Sequence, residues 1–393
     1  MPVTHQAVIH LYPVGSANKR YKKVIRTIPA FLIVLLATTF VVAQDPVGTP
    51  PPLIVEDEEV LEIESRLVVV PVSVTNSAGD PVRGLALNDF IIRERNRLQQ
   101  ITEVSAAEKV PLEIAILFDV SGSTDPMFRF EQETAAKFLQ EVMRPIDRAT
   151  VFTIGGEPNL VQNRNVAFEA IETIRGLQPT KQDTAFFDTV SAAAEYLRRN
   201  APAKSRKVIL AISDGEDNTS KGVQNGNRQV WADISRQLNS LTNEKRVAIL
   251  RDGRNKVRLS EQKKTLQRLQ DADTVFYSIN PAGSSYKLNK ISVQGQDNMQ
   301  AFANDTGGMA FLPKFLPIDL KSEYESAANL KKNTDTLEVI FRQLANELQA
   351  QYLVQYYSDG EYDPNEYVEL NVRLQDPQNH RVRARQGYFV KVQ

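Results

Sequence analysis

Asp119, Ser121 and Ser123 stand at alternate positions directly after an apolar run of five residues, 114–118. A continuous apolar run of this length is typical of a strand that is buried on both faces of a parallel sheet. Open α/β sheets bind ligands at the carboxyl ends of their strands, where these three residues would lie. One carboxylate and two hydroxyls suit a hard cation such as Mg²⁺ better than zinc or copper. Since Asp, Ser and Gly also form ordinary turns, this motif alone does not establish a metal site.

Two further oxygen-bearing side chains follow at corresponding places. Asp214 ends a second apolar strand, predicted over residues 207–213, and Thr184 lies on the loop that enters a helix predicted over 184–197. Loops at the same sheet edge converge, so all five side chains are predicted to meet. Two carboxylates and three hydroxyls give a formal charge of about −2, which matches a divalent ion and leaves a coordination position for water or a partner's oxygen. The candidate metal ligands are therefore Asp119, Ser121, Ser123, Thr184 and Asp214.

Each of these residues also has an ordinary structural interpretation, as a turn former or as the N-cap of a helix. We favour the metal site because the five residues occur in order at the ends of buried strands.

The composition of the 393-residue chain limits the chemistry that it can perform. The absence of Cys excludes disulfides, thiolate metal sites and a lipoprotein anchor. With only His5, His10 and His380, there is almost no material for a His-rich zinc site or a Ser-His-Asp triad. The net charge of −1 argues against a general attraction to nucleic acid or acidic membranes.

Residues 1–44 have the features of an export signal. Five Lys and Arg residues without any Asp or Glu precede the uncharged, apolar segment 27–43, which ends in Val-Val-Ala. This pattern predicts either a signal peptide cleaved after Ala43 or an uncleaved membrane anchor with a cytoplasmic basic leader. Both interpretations place the rest of the chain outside the cytoplasm, in the periplasm, in the cell envelope or in the extracellular space. A Pro-rich linker is predicted over 45–58.

The remaining chain is predicted to contain an α/β domain, 110–350, between two β segments, 59–108 and 351–393. In the domain, strands alternate with helices, which predicts a right-handed, mostly parallel, doubly wound sheet. Each β segment is too small to be stable alone, so we expect the two to form one small β-sandwich. The predicted strands of the β segments are 66–75, 84–93, 99–105, 352–357, 367–374 and 387–392. Beyond those already given, the domain has predicted strands at 149–154, 273–280 and 309–312 and predicted helices after Ser123 and at 168–177, 297–303 and 337–348.

Residues 221–271 form an insertion that is longer than a crossover between strands requires. It contains twelve Lys and Arg against five Asp and Glu, together with Trp231, the only Trp. One interpretation is a basic surface that steers an acidic partner towards the site. The other, which the sequence favours, is a solvated helical excursion. Nucleic-acid binding is disfavoured because aromatic residues do not interleave with the basic ones.

The motif Asp119-Val-Ser121-Gly-Ser123, together with Thr184 and Ser213-Asp214-Gly215, resembles the metal-ion-dependent adhesion site (MIDAS) of von Willebrand factor type A (VWA) domains. The resemblance implies a Rossmann-like sheet with the ion at its upper edge. It also implies that Asp119 and Asp214 hold the ion mainly through water, while the three hydroxyls coordinate it more directly. The expected ion is Mg²⁺, or Mn²⁺ or Ca²⁺, and an acidic side chain of a bound protein completes its shell. Gln182-Asp183 replace the usual Gly-Gly, and Asp183 adds a charge that would alter metal preference.

The flanking segments resemble the VWFA-related acidobacterial family, and the resemblance covers roughly residues 60–393. It is carried by LVVVPVSVT at 67–75, GDPVRGL at 79–85 and NDF at 88–90, and by LQAQYLVQY at 348–356 and RARQGYF at 383–389. What members of this family bind is generally unassigned.

The function expected from these features is an exported, divalent-metal-dependent protein-binding module for adhesion or complex assembly, and not an enzyme. One alternative is a metal-dependent phosphohydrolase with Asp183, Glu216 or Asp217 as the base, although no Gly-rich phosphate loop is present. Another is a structural envelope protein with a vestigial metal site. The sequence indicates neither the partner's identity nor the oligomeric state.

Overall fold

Strands and helices alternate through the middle of the chain, between two groups of antiparallel strands. The computed structural model describes residues 66–121, 125–180, 183–236, 241–281, 290–318 and 321–391, all within one compact unit, Glu62–Gln393. In chain order the elements are β1 (Arg66–Thr75), β2 (Phe90–Glu94), β3 (Arg97–Gln99), β4 (Ile101–Ala106), β5 (Leu112–Asp119), α1 (Asp125–Val142), β6 (Arg148–Ile154), β7 (Pro158–Asn165), α2 (Ala167–Gly176), α3 (Phe186–Asn200), β8 (Arg206–Ile212), α4 (Lys221–Ser235), α5 (Asn243–Asp271), β9 (Thr274–Ile279), α6 (Lys290–Thr306), β10 (Ala310–Phe311), α7 (Glu323–Gln349), β11 (Gln351–Ser358), β12 (Tyr367–Leu374), β13 (Arg381–Ala384) and β14 (Gly387–Phe389).

The central sheet of the described chain has six strands in the order β10-β9-β8-β5-β6-β7. All neighbouring strands run parallel except β7, which is antiparallel to β6 at the edge. Every residue of β5 is buried, because helices cover both faces of the sheet. Ile114, Ile116 and Phe118 pack in one apolar layer with α1, α2 and α7, whereas Ala115 and Leu117 pack in the other with α3, α5 and α6. The predicted mostly parallel, doubly wound sheet is confirmed.

The register of the sheet aligns the strand ends that carry the candidate site. Phe118 of β5 lies opposite Ile212 of β8, and Ile212 lies opposite Ile279 of β9. Because these strands are parallel, the residues that follow them, Asp119 and Ser213, emerge side by side at the carboxyl edge.

Two four-stranded sheets, β13-β1-β11-β4 and β14-β12-β2-β3, form the β-sandwich expected from the two ends of the chain. Its longest pairing joins β1 to β11, and their apolar side chains share one core with those of β2 and β12. Glu94, which is fully buried, connects the two sheets, since it accepts hydrogen bonds from Tyr356 Oη (2.6 Å) and Ser358 Oγ (2.7 Å). Strand β4 leads into the amino end of β5, so the chain passes from the sandwich to the central sheet at the edge opposite the site.

Several local predictions were wrong. Of the strand predicted over 84–93, only the end is a strand, because Leu87–Asp89 forms a 3₁₀ turn in which Asp89 accepts a hydrogen bond from the Ala86 amide. The helix predicted from Thr184 begins only at Phe186, and the one predicted over 297–303 extends over all of α6. Strands β7 and β13 were not predicted, because β7 is polar and largely exposed and β13 has only four residues.

The leader, the apolar segment 27–43 and the linker 45–58 lie outside the described residues, and the proposed domain boundaries stay predictions. Across the described ranges, none of the helices has the length and apolarity that a membrane crossing requires.

Candidate metal centre

Three of the five candidate ligands contact one another at the carboxyl edge of the sheet. The Ser121 hydroxyl donates a hydrogen bond to Asp119 Oδ1 (2.6 Å), and the Ser121 amide donates to the same oxygen (2.9 Å). Thr184 Oγ1 lies 3.1 Å from Ser121 Oγ, although 63 residues separate the two in sequence. The sequence therefore correctly predicted that the loops after β5 and before α3 converge. Ser123 lies outside the described residues.

The loop after β8 reaches the same cluster through Ser213. Its buried hydroxyl donates a hydrogen bond to Asp119 Oδ2 (2.7 Å) and accepts one from the Gly215 amide (3.0 Å). Asp214 Oδ1 accepts a hydrogen bond from the Glu216 amide (3.0 Å), which fixes the orientation of its carboxylate. Both oxygens of Asp119 are thus oriented by hydroxyls from different segments. Sequence reasoning missed this role of Ser213. The feature that could have indicated it is a single hydroxyl between an apolar strand and an Asp.

Thr184 is held by its backbone and not as a helix cap. The N-cap of α3 is Ala185, which has no capping side chain, so the N-cap interpretation of Thr184 is wrong. The Thr184 carbonyl accepts hydrogen bonds from the amides of Asn218 (2.8 Å) and Thr219 (3.1 Å). The amide of Ala185 donates to the Gly155 carbonyl (2.7 Å). These bonds leave the hydroxyl of Thr184, a residue only 5% exposed, to face Ser121.

Gly215 is required by the close packing of the Asp214 loop on α6. Its φ of +75° lies in the left-handed region, and a Cβ there would lie 2.4 Å from the Gly295 carbonyl oxygen. A Cβ on Gly295 would lie equally close to the Asp214 carbonyl oxygen. Asn298 Nδ2 also donates to the Gly215 carbonyl (3.4 Å). Helix α6 therefore holds the loop that carries Asp214.

Negative charge is concentrated at the centre. Burial raises the pKa of Asp119, and burial, together with the charges of Asp119 and Glu216, raises the pKa of Asp214 to about 6. Burial also raises the pKa of Glu131 on α1 well above its usual range, and the charges of Asp119 and Asp214 raise it further. Glu131 is 4% exposed, and its Oε1 has no hydrogen-bond partner in the described structure. Sequence reasoning missed Glu131, because an acid within a helix is typical of a solvated face.

These side chains fit a divalent cation. Carboxylates and hydroxyls are oxygen donors, and their crowding leaves negative charge that a cation would neutralise. In the described ranges, no three or more His, Cys, Asp or Glu side chains are grouped as a metal site. The candidate centre thus depends on hydroxyls beside two carboxylates, and metal binding by the five residues stays a prediction.

Two of the three acids considered as bases have hydrogen bonds to other elements of the fold. Asp217 Oδ2 accepts a hydrogen bond from the Phe187 amide (2.9 Å) at the start of α3, and burial raises its pKa to about 6. Glu216 Oε1 accepts one from Ser292 Oγ (2.6 Å). Asp183 is exposed beside Thr184.

A mostly parallel sheet covered by helices, with oxygen-bearing side chains converging at its carboxyl edge, defines an open α/β domain, a class that binds ligands at that edge. Residues 114–216 match the family model for the von Willebrand factor type A domain. These residues therefore belong to a VWA domain, as the resemblance of the motif implied. The resemblance to the acidobacterial family stays a prediction. A search of curated protein sequences gave no match.

Solved structures with a similar fold include an aerotolerance-related membrane protein from Bacteroides fragilis NCTC 9343 carrying multiple mutations to serines. It is 13% identical, with 58% of this chain and 98% of that chain covered and a TM-score of 0.33. BatB from Bacteroides thetaiotaomicron is 11% identical over 58% of this chain and 99% of that chain, with a TM-score of 0.33. Proximal thread matrix protein 1 from the mussel byssus, solved with a zinc-occupied MIDAS motif, is 12% identical over 63% of this chain and 47% of that chain, with a TM-score of 0.35.

Proposed function

We propose that this protein is an exported module that binds a protein partner through a divalent metal ion, in adhesion or complex assembly. The observation that carries the proposal is the contact of Ser121 with both Asp119 and Thr184 at the carboxyl edge of a VWA sheet. Three oxygen-bearing side chains from distant segments are preorganised there, beside the loop that carries Asp214.

The chemistry of these residues suits Mg²⁺, with Mn²⁺ or Ca²⁺ as substitutes. The hydroxyls of Ser121, Ser123 and Thr184 would hold the ion, and Asp119 and Asp214 would neutralise its charge, mainly through water. A bound ion would supply an open coordination position at the surface of the sheet edge. A carboxylate of the partner protein is the group that best fills this position, because it is a hard, anionic oxygen donor.

Binding is favoured over phosphohydrolysis by the contacts of two of the three acids that hydrolysis would use. Asp217 is oriented towards the amino end of α3, and Glu216 is hydrogen-bonded to Ser292. These bonds direct one oxygen of each carboxylate towards another element of the fold, Asp217 towards α3 and Glu216 towards α6. The proposal of a vestigial site is disfavoured because the hydroxyls and Asp119 keep an ordered geometry.

The basic leader and the apolar segment 27–43 support a location of the protein outside the cytoplasm, either in a secreted form or anchored at the membrane. Sequencing the amino terminus of the mature protein distinguishes the two forms. A first residue of Gln44 indicates cleavage, and an intact leader indicates an anchor.

A crosslinking pull-down from intact host cells tests metal-dependent partner binding. The wild-type protein is expected to capture a partner in Mg²⁺ and to lose it in chelator, whereas Asp119→Ala should lose it in both conditions. Equal capture of the same partner by both proteins, with or without chelator, would show that binding does not use the metal centre.

A further inference from the structure

The described residues of the insertion 221–271 form an antiparallel pair of helices, α4 and α5. Two glycines lie at the interface between the helices, each opposite a valine of the other helix. A Cβ on Gly226 would lie 2.6 Å from Val257, and a Cβ on Gly253 would lie 2.5 Å from Val230. Only glycine permits such close contact at these positions, so the two backbones are packed against each other along the pair.

The length of α5 places much of this pair beyond the sheet. Its 29 residues span about 43 Å, whereas β8 and β9 span only about 20–23 Å. The carboxyl end of α5 is buried on the sheet through Thr265, Leu266 and Leu269 and leads into the amino end of β9. The amino half of α5 must therefore project past the carboxyl edge of the sheet, where Asp119 and Asp214 lie. We call α4 and this half of α5, which are the described residues of the range 221–261, the projecting hairpin.

A chain of hydrogen bonds connects the projecting hairpin to the metal centre. Arg258 (2.7 Å) and Gln262 (3.1 Å) on α5 both donate to Asn298 Oδ1 on α6. Asn298 is 2% exposed, and its Nδ2 donates to the carbonyl of Gly215, next to Asp214. At the base of α4, the Lys221 amide donates to Asp188 Oδ2 (2.9 Å) at the start of α3. The hairpin is thus fixed in place beside the candidate site.

The hairpin is basic, although the whole chain has a net charge of −1. It contains nine Lys and Arg against four Asp and Glu. Exposed Lys245, Arg254 and Lys256 make no ion pair within the described residues. An excess of positive charge on exposed residues of the two helices attracts a partner of the opposite charge.

We propose that the projecting hairpin is a second contact surface for the partner, and that it binds a protein segment rich in Asp and Glu. This inference rests on the proposed function, in which one carboxylate of the same partner reaches the metal ion. Partner specificity would then come from acidic residues around that carboxylate, and not from the metal alone. The proposal corresponds to the steering interpretation of residues 221–271.

Binding of a fluorescein-labelled oligoglutamate peptide to the full chain, followed by anisotropy in Mg²⁺ at low salt, tests the proposal. The variant Lys245→Gln/Arg254→Gln/Lys256→Gln should bind about tenfold more weakly or worse, and added salt should weaken the wild type. The matched control Lys109→Gln/Arg373→Gln/Arg381→Gln removes the same charge from exposed positions outside the projecting hairpin and should change affinity less than about twofold. Trp231, the only Trp and 54% exposed on α4, provides a second fluorescence readout.

The outcomes separate this inference from the proposed function. Metal-dependent binding that the hairpin variant leaves unchanged overturns the hairpin inference and supports the metal centre. Hairpin-dependent binding that survives both chelator and Asp119→Ala supports the hairpin and contradicts the metal centre. Three other results overturn the inference. They are equal losses of affinity in the two triple variants, no peptide binding by the wild type, and tighter binding of an oligothymidylate of equal charge. Circular dichroism verifies that every variant is folded.

Discussion

Replacing Asp214 by Asn should stabilise the metal-free protein while weakening its metal binding. Burial raises the pKa of this carboxyl from its ordinary 3.8 to about 6. Because each tenfold change in an acid constant corresponds to ~1.4 kcal/mol, the ionised carboxylate destabilises the metal-free fold at pH 7 by about 2–3 kcal/mol. Asn keeps an oxygen to accept the Glu216 amide, so the substitution removes the charge with little change in shape.

The pH dependence of this difference has a definite sign. Below about pH 4 the carboxyl is protonated in both folded and unfolded chains, so wild type and Asp214→Asn should be nearly equally stable. Between about pH 4 and 6 the folded wild type binds more protons than the unfolded chain, and its stability relative to the variant is lost as the pH rises.

Urea denaturation in chelator, repeated from pH 4 to pH 7, measures the two free energies of unfolding. With Mg²⁺ at about 100 times its Kd, the wild type should gain about 2.7 kcal/mol, and the variant should gain far less. A variant that is less stable than the wild type in chelator at pH 7, or one that gains as much from Mg²⁺, would refute the reasoning.

Three further substitutions test parts of the site. Thr184→Val should weaken metal binding by about tenfold or more in calorimetry, since it removes one ligand. It should change the free energy of unfolding by only about 1 kcal/mol, since it removes one hydrogen bond. An unchanged metal affinity would show that Thr184 is not a ligand. Gly215→Ala should cost about 2 kcal/mol or more in urea denaturation because of its φ of +75° and its contact with Gly295. Gly176→Ala, where a Cβ meets open space, is its control and should be neutral or stabilising. Asn298→Ala should cost about 1–3 kcal/mol, because it leaves buried groups without hydrogen bonds, and a neutral result would contradict its anchoring role.

The central sheet was predictable because its strands are continuous apolar runs. Every residue of β5 is buried, so its pattern could not be mistaken for a solvated segment. The edge strand β7 has no buried residue, and its polar sequence PNLVQNRN gives no strand period. The convergence of Asp119, Ser121 and Thr184 followed from the topology, because parallel strands must end at one edge.

The backbone bonds and packing depths that orient the site could not be predicted from the sequence. Thr184 precedes a helix, as N-caps do, but its position is set by backbone bonds to residues 218 and 219. The role of Glu131 depends on how deeply α1 packs beside the strand ends, which the helical pattern does not specify. The projection of α5 past the sheet depends on where its buried end begins. The sequence indicates the length of the insertion but not that position.

Isothermal titration calorimetry of Mg²⁺ and Mn²⁺ into the full chain tests the central claim most directly. The wild type is expected to bind one ion, and Asp119→Ala, with an unchanged circular dichroism spectrum, is expected to bind none. Identical binding isotherms for the two proteins, or no binding by the folded wild type, would contradict a metal centre at the edge of this sheet.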